Sequence, residues 1–187
     1  MLIMPKIFEL SVYTCFFYFL VWVIWIFLIV PSENIAAQGL GSLAFLPHAA
    51  RVLPVLFFGG RSIPAIYFSE FIATNYIGEL EYTTAYGALI SSTAILISWG
   101  AFKLLDVDLK SKRVLQNTDW KHVTLFVLVS ALVNGVGNGA YYLYLYEVID
   151  PLITIRFVIG DIVGATIVIL SLMFLTGFIK IPDSKND

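Results

Sequence analysis

Between Leu46 and Pro64 the chain reads LPHAARVLPVLFFGGRSIP, an apolar run with an arginine in its middle. Pro47 opens the run, Gly59-Gly60-Arg61 closes it, and Pro64 starts the next apolar segment. At about 1.5 Å of rise per residue, Arg51 lies roughly 15 Å from the closing Arg61, near the centre of a bilayer. A guanidinium at that depth costs at least about 2.5 kcal/mol unless protein groups receive it. The segment therefore cannot span a membrane alone. It needs a bundle whose other helices supply acceptors.

The rest of the chain fits such a bundle. Of its 187 residues, 59% are hydrophobic and 13% charged, and the mean hydropathy is +0.89. A soluble domain of this length has too little interior to hide that much apolar surface. The expected fold class is an all-α integral membrane protein, a single polytopic domain over 1–187 with about six transmembrane helices. The spans are expected at about 7–30, 43–58, 62–78, 83–105, 122–146 and 152–178. The first is too long for the apolar core of a signal peptide. The second is short unless Ser42 to Leu46 joins it, which leaves open a helix reached through a partly re-entrant loop.

Charge sets the orientation. In a six-span arrangement Lys6, Arg61, Lys103, Lys110, Lys112, Arg113, Lys121, Lys180 and Lys185 all fall on one side. The opposite loops carry Glu33, Glu79, Glu81, Glu147 and Asp150 and no Lys or Arg. The positive-inside rule then predicts an N-in, C-in protein. A net charge of -2 offers nucleic acid no surface, and the single cysteine, Cys15, provides neither a disulfide framework nor a cysteine-based metal site. No metal or cofactor is expected.

Four ionisable residues fall within the spans: Arg51, Glu70, Arg156 and Asp161. Their charges cancel, so pairing is expected, with Asp161 the nearer partner of Arg51 and Glu70 completing the network. Arg156 is close enough to the outer face to snorkel. His48, three residues before Arg51, shares its helix face. Asn134 and Asn138, at i and i+4, form a polar stripe on the fifth span, leading toward Tyr141, Tyr142 and Tyr144. Gly135 with Gly139, and Gly160 with Gly164, are small-residue pairs that allow close helix packing. The polar set has two readings: a site for a ligand, ion or proton, or a clasp that only holds helices together. No phosphate loop, metalloprotease motif or hydrolytic triad is present, so no enzymatic activity is expected.

The stretch LPHAARVLPVLFFGGRSIPAIYFSEFIA resembles a region of the first type of bacterial membrane-associated sensor domain, where a proline-rich turn leads into an apolar helix ending at Gly-Arg. RFVIGDIVGATIVI is similar to that family's closing helix. The family precedes diguanylate cyclase, phosphodiesterase and histidine kinase domains. Here Pro47-His48 replaces the usual W-P-P turn, the spans are fewer than the usual eight, and no output domain follows the sixth. The resemblance implies a sensory role in the bacterial inner membrane, exerted through a separate membrane or cytoplasmic signalling protein. In size and span count the chain is also similar to substrate-capturing subunits of vitamin transporters, which implies a small-molecule ligand as the alternative.

Overall fold

The computed structural model describes residues 3–33, 41–77, 85–107, 120–147 and 150–178. Helices make up nearly all of these residues, and no strand occurs among them. We number them α1 (Ile3–Ile24), α2 (Pro47–Phe58), α3 (Ile63–Ile72), α4 (Ala85–Leu104), α5 (Trp120–Tyr146) and α6 (Pro151–Phe178). One π-helical turn extends α1 (Trp25–Ile29) and another extends α3 (Ala73–Ile77).

Among the described residues, five helical stretches are long and apolar enough to cross a membrane: Lys6–Ser32, Pro47–Tyr76, Tyr86–Leu104, Lys121–Tyr146 and Pro151–Leu175. Their outward faces carry large apolar side chains, such as Phe8, Phe16, Phe27, Leu152, Leu170 and Phe174, while Arg51, Glu70 and Asp161 lie inside. That distribution suits a hydrocarbon solvent, with polar groups kept at helix contacts. The chain is a multi-pass membrane protein.

The second stretch is not straight. Arg51 and Glu70, 19 residues apart, form a direct ion pair. In an uninterrupted helix they would be about 28 Å apart. The chain reverses at the short 3-10 turn Gly59–Ser62, so α2 and α3 form a hairpin. Gly59 makes the reversal possible: its φ of 71° is a backbone state that side chains disfavour. Gly60 then brings the turn against Trp99 of α4, where a Cβ would lie 2.9 Å from the indole ring. Its arms, α2 and α3, fall within the expected spans 43–58 and 62–78.

The expected boundary at residue 43 needs correction. Residues 41–46 are not helical, and α2 starts only at Pro47. Proline at the first helical position suits a helix start, because its missing N–H is one that a helix would leave unpaired. The lead-in 41–46 lies against α6. Phe45 donates its backbone N–H to the Gly160 carbonyl at 2.9 Å. Gly160 and Gly164 form the groove that receives it, for a Cβ at Gly160 would strike the Ser42 carbonyl oxygen and one at Gly164 the Phe45 carbonyl. This glycine pair was expected to pack a helix. It packs irregular backbone instead. Gly135 and Gly139 do serve helix packing, against Val158 and Thr154 of α6.

The remaining contacts fix the bundle. α5 lies along α6 and α4 along α5, α3 packs on α4, and α1 covers α2 and α3. Phe102 meets Phe126 edge-on at one end, and Tyr86 lies beside Tyr141 at the other. The loop basic residues Lys110, Lys112, Arg113, Lys180 and Lys185, and the acidic Glu79 and Glu81, lie outside the described residues.

Candidate functional site

Arg51 is on the second turn of α2 and 3% exposed. Its Nε donates to Glu70 Oε2 at 3.0 Å and its Nη2 to Glu70 Oε1 at 2.5 Å, a two-point pair. Nη1 lies 3.9 Å from Asp161 Oδ1, beyond hydrogen-bond reach. The expected order of partners is thus reversed: Glu70 is the direct partner and Asp161 the distant one. The hairpin explains why. Arg51 and Glu70 stand at similar distances either side of the Gly59–Ser62 turn, which brings them to one level. The Arg51 guanidinium also sits 4.8 Å from the Phe45 ring centroid, a cation–π contact with the lead-in.

Asp161 belongs to a second group. Asn134 Nδ2 donates to Asp161 Oδ2 at 2.6 Å. Asn138 Nδ2 donates to both the backbone oxygen and Oδ1 of Asn134, each at 2.9 Å. The asparagine stripe is therefore a directed chain, with both amide N–H donors aimed toward the carboxylate. Asn134 is buried and Asn138 half-buried, so the chain runs from the outer part of α5 inward. His48 Nδ1 is 3.3 Å from Asp161 Oδ2, and its Nε2 is 3.1 Å from Ser130 Oγ. Ser130 is one turn from Asn134 on the same stripe. Its place at i−4 was legible in the sequence as the stripe's first member and was overlooked.

Arg156 holds the lead-in: its Nε and Nη2 donate to the Gly41 carbonyl oxygen at 3.1 and 3.0 Å.

Several buried atoms around the network find no hydrogen-bond partner among the described residues. They are Thr14 Oγ1, Tyr18 OH and Trp22 Nε1 on α1, with His48 Nδ1, Arg51 Nη1 and Asp161 Oδ1. Thr14, Tyr18 and Trp22 recur every fourth residue and so share one face of α1. Tyr18 and Trp22 stack at 6.1 Å, Trp22 meets Phe45 edge-on, and the Tyr18 hydroxyl lies beside Arg51. A membrane interior makes unmatched polar groups costly, and such groups mark places where a ligand or water binds. The four-residue spacing of these polar atoms was the available signal.

No group of His, Cys, Asp and Glu among the described residues has the arrangement of a metal site. Comparison with protein-family models, with characterised proteins and with solved structures returned no match.

Proposed function

We propose that this chain is a non-enzymatic, six-pass protein of the bacterial inner membrane, N-in and C-in, that senses a small ligand or ion at its buried network and signals through a separate protein partner. The observation that carries the reading is how many elements meet there. Tyr18 of α1, Arg51 of α2, Glu70 of α3, Asn134 of α5, Asp161 of α6 and Phe45 of the lead-in are all within one linked set of contacts. A change of occupancy at such a junction alters the packing of every helix that feeds it, which is what a signalling membrane domain requires.

Six passes are supported by the hairpin. α2 has 12 residues and is about 18 Å long, too short for a bilayer core of about 30 Å. The irregular lead-in, residues 41–46, continues the chain from its N-terminal end. Orientation is supported by the charges at the two ends: Lys6, Arg61, Lys103 and Lys121 at one, Glu33, Glu147 and Asp150 at the other.

A second reading has its own support. A half-helix starting inside the bilayer after irregular backbone is a device of transporters, which place substrate at such breaks. On that reading the chain is the substrate-binding membrane component of a small-molecule transporter.

Purification from native membranes, with identification of co-purifying proteins and small molecules, tests both. A kinase, cyclase or phosphodiesterase as partner supports sensing, and an ATPase supports transport. Wild-type protein that carries neither partner nor small molecule would leave the network a clasp.

A further inference from the structure

The lead-in fills a gap between helices. α1 packs on α2 and α3, and α6 packs on α5 and α2. α2 stands between α1 and α6 only from Pro47 onward, and before Pro47 the lead-in takes its place. Along α6 it runs from Arg156, which holds the Gly41 carbonyl, past Gly160 to Gly164, which receives the Phe45 carbonyl. Eight helical residues rise about 12 Å. Asp161 lies within that run, and Phe45, near the inner end of the lead-in, lies over the Arg51 guanidinium. The lead-in thus closes the way between α1 and α6 from the end that carries Glu33 to the buried network.

On the α1 side it hangs on one carboxylate oxygen and one hydroxyl. Glu33 stands just past the 3-10 turn Val30–Ser32. Its Oε1 accepts from Ser42 Oγ and from the Leu43 backbone N–H, each at 2.8 Å. Ser42 Oγ accepts in turn from Trp25 Nε1 and from the Ala44 backbone N–H, each at 3.2 Å. Indole and backbone N–H groups only donate, so the Ser42 proton goes to Glu33 and the hydroxyl is fully used. Below this latch the Phe45 ring rests edge-on against Trp22 and Trp25.

The latch differs from the Arg51–Glu70 pair in its surroundings. Glu33 is half-buried and Leu43 exposed, so water can replace the bonds to Oε1 at small net cost. Gly41 supplies a pivot: its φ of 92° is a backbone state that other residues rarely adopt. Pro47 marks the other end, where helix begins.

We propose that residues 41–46 are a lid over the buried network, latched to α1 by Glu33 through Ser42, and that the network is reached between α1 and α6 when the latch opens. Opening hands Glu33 Oε1 to water, frees Leu43 and Ser42, and lifts Phe45 from Arg51. This assigns control of access to the site of the proposed function, and its role rests on that reading.

The test is thiol labelling of purified protein in lipid nanodiscs, in a Cys15→Ala background, with a small cationic methanethiosulfonate reagent. Ala50→Cys is the probe: Ala50, on the first turn of α2, is fully buried in one cluster with Leu46, Trp22 and Tyr18. Ala94→Cys on α4, away from the lead-in, is the control. Ala50→Cys should label faster than Ala94→Cys in the parent. Glu33→Ala and Ser42→Ala should each speed labelling at Ala50→Cys about tenfold and leave Ala94→Cys unchanged. Glu33→Gln keeps an acceptor oxygen for both bonds and should label like the parent. Equal rates at the two probes in the parent, no acceleration by Glu33→Ala or Ser42→Ala, or equal acceleration at both probes overturns the lid; a Glu33→Gln rate matching Glu33→Ala overturns the latch. The parent comparison decides alone if the alanine variants fail to fold. Labelling needs neither ligand nor partner, so its failure is separate from a failure of co-purification.

Discussion

The two-point pair between Arg51 and Glu70 sets an order of severity for removing its members. Arg51→Leu leaves Glu70 and Asp161 as two buried carboxylates with no arginine between them. Glu70→Leu leaves Arg51 with Asp161 only 3.9 Å away, a gap that a small side-chain movement closes. Asp161→Leu leaves the Arg51–Glu70 pair whole. Breaking a buried pair by removing one partner costs about 3–5 kcal/mol in soluble proteins, and water drawn toward the charge lowers this in a membrane. We expect Arg51→Leu to cost about 3 kcal/mol, Glu70→Leu about half of that, and Asp161→Leu less again. The double variant Arg51→Leu/Glu70→Leu should recover much of the loss, with a coupling of about 2 kcal/mol. Unfolding in mixed micelles of rising SDS fraction, followed by circular dichroism, measures the four variants against wild type. Additive losses at Arg51 and Glu70 would refute the pairing argument. A loss for Asp161→Leu exceeding that for Arg51→Leu would refute the reasoning about which charge is left exposed.

Three further outcomes are expected. Gly164→Ala puts a Cβ onto the Phe45 carbonyl, which is backbone and cannot swing aside, so it should destabilise by about 1–3 kcal/mol in the same unfolding assay, while Ala165→Gly nearby costs about 1 or less. Tyr18→Phe removes a hydroxyl with no partner among the described residues, so stability should change by less than about 0.5 kcal/mol; loss of a co-purifying small molecule in that variant would assign the hydroxyl to binding. In a Cys15→Ala background, Glu147→Cys should react with an impermeant thiol reagent added to intact cells and Asp106→Cys should not, and the reverse pattern would invert the proposed orientation.

What the sequence revealed divides along one physical line. Depth can be counted in residues, so the apolar spans and the interior placement of Arg51, Glu70 and Asp161 were legible from rise per residue alone. Which of two residues at similar depth lie side by side is a lateral question, and residue counting does not address it. Asp161 was expected as the nearer partner of Arg51, but the glycines on either side of it receive the backbone of residues 42–46. The Gly59–Ser62 turn held the better signal, since residues equally far from a tight reversal meet. Arg156 was expected to snorkel, and the acceptor that its Nε and Nη2 reach is the backbone oxygen of Gly41. Backbone oxygens of irregular segments leave no mark in composition or periodicity. Ser130 and Tyr18 were legible in principle, each standing on a four-residue stripe.

The lead-in is tied to α6 at two heights, through Arg156 to Gly41 and through the Gly160 carbonyl to Phe45. Asp161 directly follows the second tie in sequence. Phe45 in turn touches the Arg51 guanidinium and the rings of Trp22 and Trp25. Displacing α6 along its axis would therefore pull on residues 41–46, and with them on the first turn of α2. Displacement of Asp161 by one helical turn, about 5.4 Å, would tow Phe45 off the tryptophan pair and away from Arg51. A carboxylate and an aromatic ring from distant parts of the sequence share a single mechanical coordinate.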